Sequence, residues 1–235
     1  DGSMSRSDNS TQMTIAAGRE EKAWIEHVVA VFEKVFQYRP RFYWSVNVYK
    51  VTTRIKKICN FFQEMGFPVG RKASTVRVPT TIMKTNDMAI RKAFLRGYFD
   101  ADGCMSFEKG FHVKNSKFKR THHYYPRIAM ASVSRDLIYL DIKFLLESIN
   151  FGCRIHDDKP RGKIKRTTYV LVLKGSQQFE RWMVEIGSSN PVHLTKYQVW
   201  KKFEFCPTRT TLAQRLAMLS SELDPEFFYE NGKWT

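Results

Sequence analysis

Long apolar runs are missing. None approaches the roughly 20 residues that cross a bilayer, and no signal-peptide pattern opens the chain, so an intracellular protein is expected. Cysteine is scarce. Cys59, Cys104, Cys153 and Cys206 stand far apart with no C-x-x-C pair, which excludes a zinc knuckle and leaves no disulfide framework. No glycine-rich phosphate loop and no Ser–His–Asp or Cys–His set is present, and Asn115 with His122-His123 has the wrong order and spacing for a His–Asn–His metal motif. Acid is the other shortage: 23 Asp and Glu stand against 39 Lys and Arg, a net charge of +16 over 235 residues. An excess of that size implies an anionic partner, and with membrane classes receding nucleic acid leads.

What is present repeats. DGSMS at 1–5 returns as DGCMS at 102–106. Each copy runs on through a strand pattern into an amphipathic helix, marked by Trp24, Val28, Val31 and Phe32 in the first and Leu137, Leu140, Phe144 and Leu145 in the second. A second strand and helix follow, 43–66 in parallel with 168–187, with Lys50 opposite Lys174 and with Trp44, Val46 and Val48 on one strand face. Short basic segments close each copy, at 70–79 and 192–202. The pattern reads as an α+β protein of two pseudo-symmetric αββαββα halves, 1–84 and 85–206, with a terminal helix and tail at 207–235. A polar, basic, aromatic insert occupies 108–126 in the second half only.

Residues 86–101, NDMAIRKAFLRGYFDA, read as a helix capped by Asn86 or Thr85. Ala89, Ala93, Gly97 and Ala101 recur every fourth position, giving a narrow stripe against which a second helix could approach closely. Asp100 and Asp102 lie at the carboxyl end, where the helix dipole disfavours them by roughly 0.3–1 kcal/mol each, and Gly103 suits a left-handed helix end. Two such helices crossing at their stripes bring terminal aspartates together, and a divalent cation between them relieves the repulsion. The spacing is not that of an EF-hand, whose glycine falls at the sixth loop position.

LRGYFDADG at 95–103 resembles the motif of the LAGLIDADG homing endonucleases, agreeing at six of nine letters with both aspartates and both glycines. The likeness extends over the chain, DGS at 1–3 being the tail of a first motif whose helix would lie upstream. It implies two halves packed through their motif helices, each with a curved antiparallel sheet over double-stranded DNA, acting as a monomer. It further implies a site-specific, metal-dependent double-strand endonuclease with Asp1 and Asp102 as catalytic metal ligands, aided by the backbone of Gly2 and Gly103. Two or more Mg²⁺ ions would serve, with Mn²⁺ or Ca²⁺ as substitutes in binding. Lys72 and Lys196 match the lysine that family enzymes often carry near each metal. A polar residue at the end of the second strand falls near Gly18 and Val133 and stays unassigned. An RNA-binding intron maturase and a non-cleaving DNA-binding regulator remain open on the same fold.

Strand alternation sorts the DNA face. In the first half it takes Ser3, Ser5, Ser7, Asn9, Gln12 and Thr14, with Arg39 and Arg41 beyond. In the second it takes Ser106, Glu108 and Arg127, with Arg154, His156, Lys163 and Lys165 continuing the basic surface and Lys117, Lys119 and Arg120 in the insert. Met4, Met105 and Phe107 are read as core.

Overall fold

Alternating polar and apolar residues allow a strand to bury one face only, and the chain makes two sheets, the second of which departs from that pattern where Val170–Leu173 are buried on both faces. The computed structural model describes residues 2–7, 10–70, 73–109, 122–160 and 166–229. In the first half β1 (Gly2–Ser7) and β2 (Ser10–Ala17) lead to α1 (Lys22–Phe36), then β3 (Arg41–Ser45), β4 (Val48–Thr53), α2 (Lys56–Glu64) and the short α3 (Thr80–Lys84). The second half runs α4 (Met88–Asp102), β5 (Gly103–Glu108), β6 (Tyr125–Ser132), a π-helical turn (Leu137–Ile142) passing into α5 (Lys143–Ser148), β7 (Arg154–Asp158), β8 (Thr168–Lys174), α6 (Ser176–Glu185) and α7 (Pro191–Phe203). Helix α8 (Leu212–Leu219) follows, with Thr211 and Gln214 closing a reciprocal cap at its start. Strand orders β1-β2-β4-β3 and β5-β6-β8-β7 are the same arrangement twice, antiparallel throughout. The expected α+β repeat is there.

Several local readings need correction. Residues 43–50 are a hairpin, not one strand: Val46 and Asn47 both have positive φ, 47° and 62°, the mirror-image turn that matches strand twist. Val–Asn is a weak turn signal, so the alternation ran across it. Lys50 pairs with Ala16, whereas Lys174 pairs with Arg127; the first-half counterpart of Lys174 is Arg54, which reaches Gln12. The basic segment at 192–202 is helix α7, started by an Asn190 cap and Pro191. The core stripe of α1 is Trp24, Ile25, Val29 and Phe32, leaving Val31 exposed. In the second half the π turn re-phases the helix, so Ile138, Ile142 and Leu146 are buried while Leu140 and Phe144 are exposed.

The second half has one continuous core joining Leu95 and Phe99 of α4, the inner faces of β5, β6 and β8, and Trp182, Val199 and Met218. Met105 and Phe107 belong to it. The first half has two smaller clusters, one around Met4, Met13 and Phe32 and one around Trp24, Ile25 and Val51. Between the halves the chain is pinned. The Arg77 guanidinium donates twice to the buried Asp141 carboxylate, at 2.6 and 2.7 Å, and the Val78 N–H donates to the same group at 2.9 Å. Ser134 Oγ donates to the Val76 carbonyl at 2.8 Å.

Candidate nucleic-acid interface

Helix α4 starts one residue later than its sequence suggests, because Asp87, not Asn86 or Thr85, accepts from the Ala89 N–H. Leu95 and Phe99 are wholly buried and fix its rotation. That rotation gives the two terminal aspartates different work. Asp100 is buried, accepts from Ser188 Oγ and, at 2.8 Å, from the Ser189 N–H, and lies 4.0 Å from His193 Nδ1. Its carbonyl accepts from Asn190 Nδ2, which also donates to Glu21 of the first half at 2.7 Å. Asp100 is therefore structural. Asp102 is exposed, one helical turn after Tyr98, whose phenol is pushed well up by burial and then by the nearby Asp102 charge.

Gly103 is not left-handed. Its φ is −81° and ψ 161°, ordinary extended backbone. Glycine is needed there for space: a Cβ would stand 2.2 Å from the Phe99 ring and 2.5 Å from the Phe99 carbonyl. Gly2, at the same place in the first sheet, would meet only Phe67 at 3.6 Å.

Gly2 and Asp102 border one cavity of about 670 Å³, walled by Phe61, Phe67, Phe94 and Val76. The structure thus brings the two D-G sites to a shared space, although Asp1 itself is outside the described residues. A second cavity on the far side of Gly97 is lined by Trp24, Val28, Val31 and Val35 of α1. Ala89, Ala93 and Gly97 are exposed among the described residues, while Ala101 is half-buried and packs against the first-half cluster of Trp24, Ile25 and Val51.

Lys196, on α7, donates to the Met105 carbonyl at 2.9 Å, just beyond Asp102 along β5. Burial holds its amine below the ordinary value. Behind it the buried Arg215 of α8 donates to Thr195 Oγ1 at 3.0 Å and lies 3.8 Å from Glu20. Lys72 is outside the described residues. Glu20 and Glu21, directly after the Gly18 position left unassigned, were missed; acids following a strand in a basic chain are the signal that was available. Among the described residues no group of three His, Cys, Asp or Glu side chains is placed to hold a metal, and Asp102 is the carboxylate that the described residues bring to the cavity bordered by Gly2. That donor set fits an ion that keeps most of its water, as Mg²⁺ does.

The open sheet faces carry most of the DNA-facing set. Cross-strand register lines up Ser3, Thr14, Thr52 and Arg41, with Ser5 beside Gln12, in the first sheet. In the second it lines up Cys104, Ala129, Val172 and Arg154, with Ser106, Arg127 and Lys174 in the next row and His156 beside Val170. Tyr43, Lys50, Arg54 and Lys174 join this surface and were not in the sequence-derived set; the misread hairpin hid the first two. Ser7 ends β1. Arg39 is drawn to Glu33 of α1 at 3.0 Å. Glu108 accepts from Lys174 at 2.6 Å and lies 3.7 Å from Arg127, and His156 lies 3.7 Å from Asp158. Asn9, Lys117, Lys119, Arg120, Lys163 and Lys165 are outside the described residues. No helix among the described residues is long and apolar enough to cross a membrane.

The LAGLIDADG-like domain family matches residues 89–187. Solved structures share the architecture at low identity. I-LtrWI, a LAGLIDADG homing endonuclease bound to target DNA, is 14% identical over 98% of this chain and 94% of its own, with a TM-score of 0.55. I-DmoI in complex with DNA and Ca is 14% identical over 79% of this chain and 81% of its own, with a TM-score of 0.52. I-GzeII in complex with its DNA target is 11% identical over 99% and 90%, with a TM-score of 0.50. No curated protein matches the sequence.

Proposed function

We propose that this chain, which carries a LAGLIDADG-like domain at 89–187 on the two-sheet fold of homing endonucleases, is a site-specific, divalent-metal-dependent double-strand DNA endonuclease. Its halves, 1–84 and 85–206, would each cover one half-site, with 207–235 as a supporting tail. The observation that carries the reading is Asp102: a solvent-facing carboxylate at a helix end, across a shared cavity from Gly2 and between two sheets whose open faces bear Arg41, Lys50, Arg54, Arg127, Arg154 and Lys174. A binder of DNA alone gains nothing from an acid aimed at phosphate.

In this reading the sheets lie over the major groove and set register through phosphate and base contacts. Asp102, with Asp1 and the backbone of Gly2 and Gly103, holds Mg²⁺ or a substitute ion. When bound, the ion supplies an activated water and neutralises the leaving oxygen. Asp100 keeps the end of α4 rigid against Ser188–Asn190, so that Asp102 is held in place. Lys196, whose amine donates to the Met105 carbonyl, would offer a proton or positive charge to the phosphate.

The test is incubation with a pool of random-sequence DNA duplexes and Mg²⁺, sequencing the new ends. Cutting at one long site, lost on chelation, is expected. Asp102→Asn should bind the same duplex yet cut it on the order of a thousandfold more slowly, the equivalent of several kcal/mol of charge stabilisation. Salt-sensitive binding by the unmodified chain with no cutting, in Mg²⁺ or Mn²⁺, would instead make it a regulator. Preference for structured RNA would make it a maturase.

A further inference from the structure

Counted from the D-G pairs, the two sheets carry one matching row with different chemistry. Gly2 pairs with Ile15 and Gly103 with Met130, so Ser5 beside Gln12 occupies the same place in its sheet as Ser106 beside Arg127. The third strand adds Arg54 to one row and Lys174 to the other. This face is opposite the one on which Met4, Met13, Met105 and Ile128 fill the cores. Ser5, Arg54 and Lys174 are exposed, while Gln12, Ser106 and Arg127 are half-buried, so both rows can be reached from outside.

The amide of Gln12 is fixed. Arg54 Nε donates to Gln12 Oε1 at 2.8 Å, and Gln12 Nε2 donates to Thr14 Oγ1 at 3.2 Å. A guanidinium only donates, so the atom that faces it is the amide oxygen. One N–H and one oxygen lone pair are left over, a donor beside an acceptor. Arg127 is held differently. Lys174 Nζ donates to the Glu108 carboxylate at 2.6 Å, and that carboxylate lies 3.7 Å from Arg127 Nη1. The Arg127 Nε is buried, so the side chain presents its terminal nitrogens, which are donors only.

In the major groove adenine shows an acceptor beside a donor, whereas guanine shows two acceptors. A donor–acceptor pair therefore complements adenine, and a pair of donors complements guanine. Resting on the DNA-binding reading above, we infer that Gln12 selects adenine in one half-site and Arg127 selects guanine at the mirrored position of the other. Arg54 and the Lys174–Glu108 pair are positioning residues, which set the amide and the guanidinium before DNA arrives. Both rows stand equally far along their strands from Gly2 and Gly103, which sets the two bases at equal distances from the centre of the target. The target is then a near-palindrome broken at that position.

The experiment selects duplexes bound by the full chain in Ca²⁺ from a random pool and sequences them. The parent should show adenine and guanine at mirrored positions, each preferred about tenfold or more. Gln12→Arg should turn that adenine into guanine, and Arg127→Gln should turn the guanine into adenine, each at one position only. The unaltered half-site is the control for folding in each variant. Gln12→Ala and Arg127→Ala, which should lose the preference at the same positions, cover an exchange that fails to fold. Arg54→Met should relax the adenine preference alone, whereas loss of a phosphate contact would weaken all sequences alike. Exchanges that shift no position, or that shift one where the parent prefers another base, overturn the inference and leave DNA binding intact. Failure of the unmodified chain to select any duplex overturns the DNA-binding reading and this one with it.

Discussion

The two halves share strand order and register, yet they are built to unequal firmness. The second encloses one continuous core, with α4, α6 and α7 packed beneath its sheet and α8 sealing the far side. The first spreads its apolar residues over two patches and leaves Val31 and Val35 of α1 exposed beside Gly97. Equal topology therefore does not mean equal stability, since the number of apolar layers around each sheet sets how much surface leaves water. The second half acts as the body against which the first is held, through Glu20 to Arg215 and Glu21 to Asn190.

The largest contrast is in core truncation. Trp182→Ala should cost about 3–5 kcal/mol and unfold the second half. Phe32→Ala should cost less and act on the first half alone; urea melts followed by native-state hydrogen exchange would show β1–β2 opening before β5–β6. A single transition of identical midpoint for both sheets would break the contrast. Next is the glycine at each D-G site. Gly103→Ala forces a Cβ against a main-chain carbonyl and should cost about 3 kcal/mol, whereas Gly2→Ala, in ordinary contact with Phe67, should fall within about 0.5 kcal/mol of the parent by thermal melting.

Smaller still is Gly97→Ala. A Cβ there meets nothing within 4 Å, so removing a helical glycine should stabilise the chain by about 0.5–1 kcal/mol. A loss of stability would mean that another helix covers the stripe in solution. The slightest effect concerns pH. Because burial depresses the Lys196 amine from its ordinary 10.5, the folded state binds fewer protons than the unfolded one, and stability rises with pH across the interval up to 10.5. Lys196→Met should therefore gain most relative to the parent near neutrality, and the gain should shrink as pH approaches 10.5 in chemical-denaturation series.

Much of this was legible in the sequence. The repeated D-G, the alternation of β1 and β5 and the small stripe of α4 needed only spacing, and the open-face positions Ser3, Ser5, Gln12, Thr14, Ser106, Arg127 and Arg154 followed from parity. Other features were hidden for physical reasons. Val46-Asn47 turns the chain without a glycine. The π turn at 137–142 shifts a helix phase that periodicity assumes constant. Asp100 and Asp102 look equivalent until Leu95 and Phe99 fix the rotation of α4. Gly103 reads as a conformational glycine but is a steric one, which only the position of Phe99 reveals.

The pinning of the interhalf segment bears on how such a chain could be recombined. Arg77 and Val78 lie before residue 84, yet their partner Asp141 lies deep in the second half. A graft that joins this second half to a foreign first half at residues 84 and 85 would strand a buried carboxylate with no cation or N–H to meet it. The seam belongs ahead of Val76, so that the segment travels with Asp141 and Ser134; modularity in this molecule is decided by one side chain rather than by where the repeat begins.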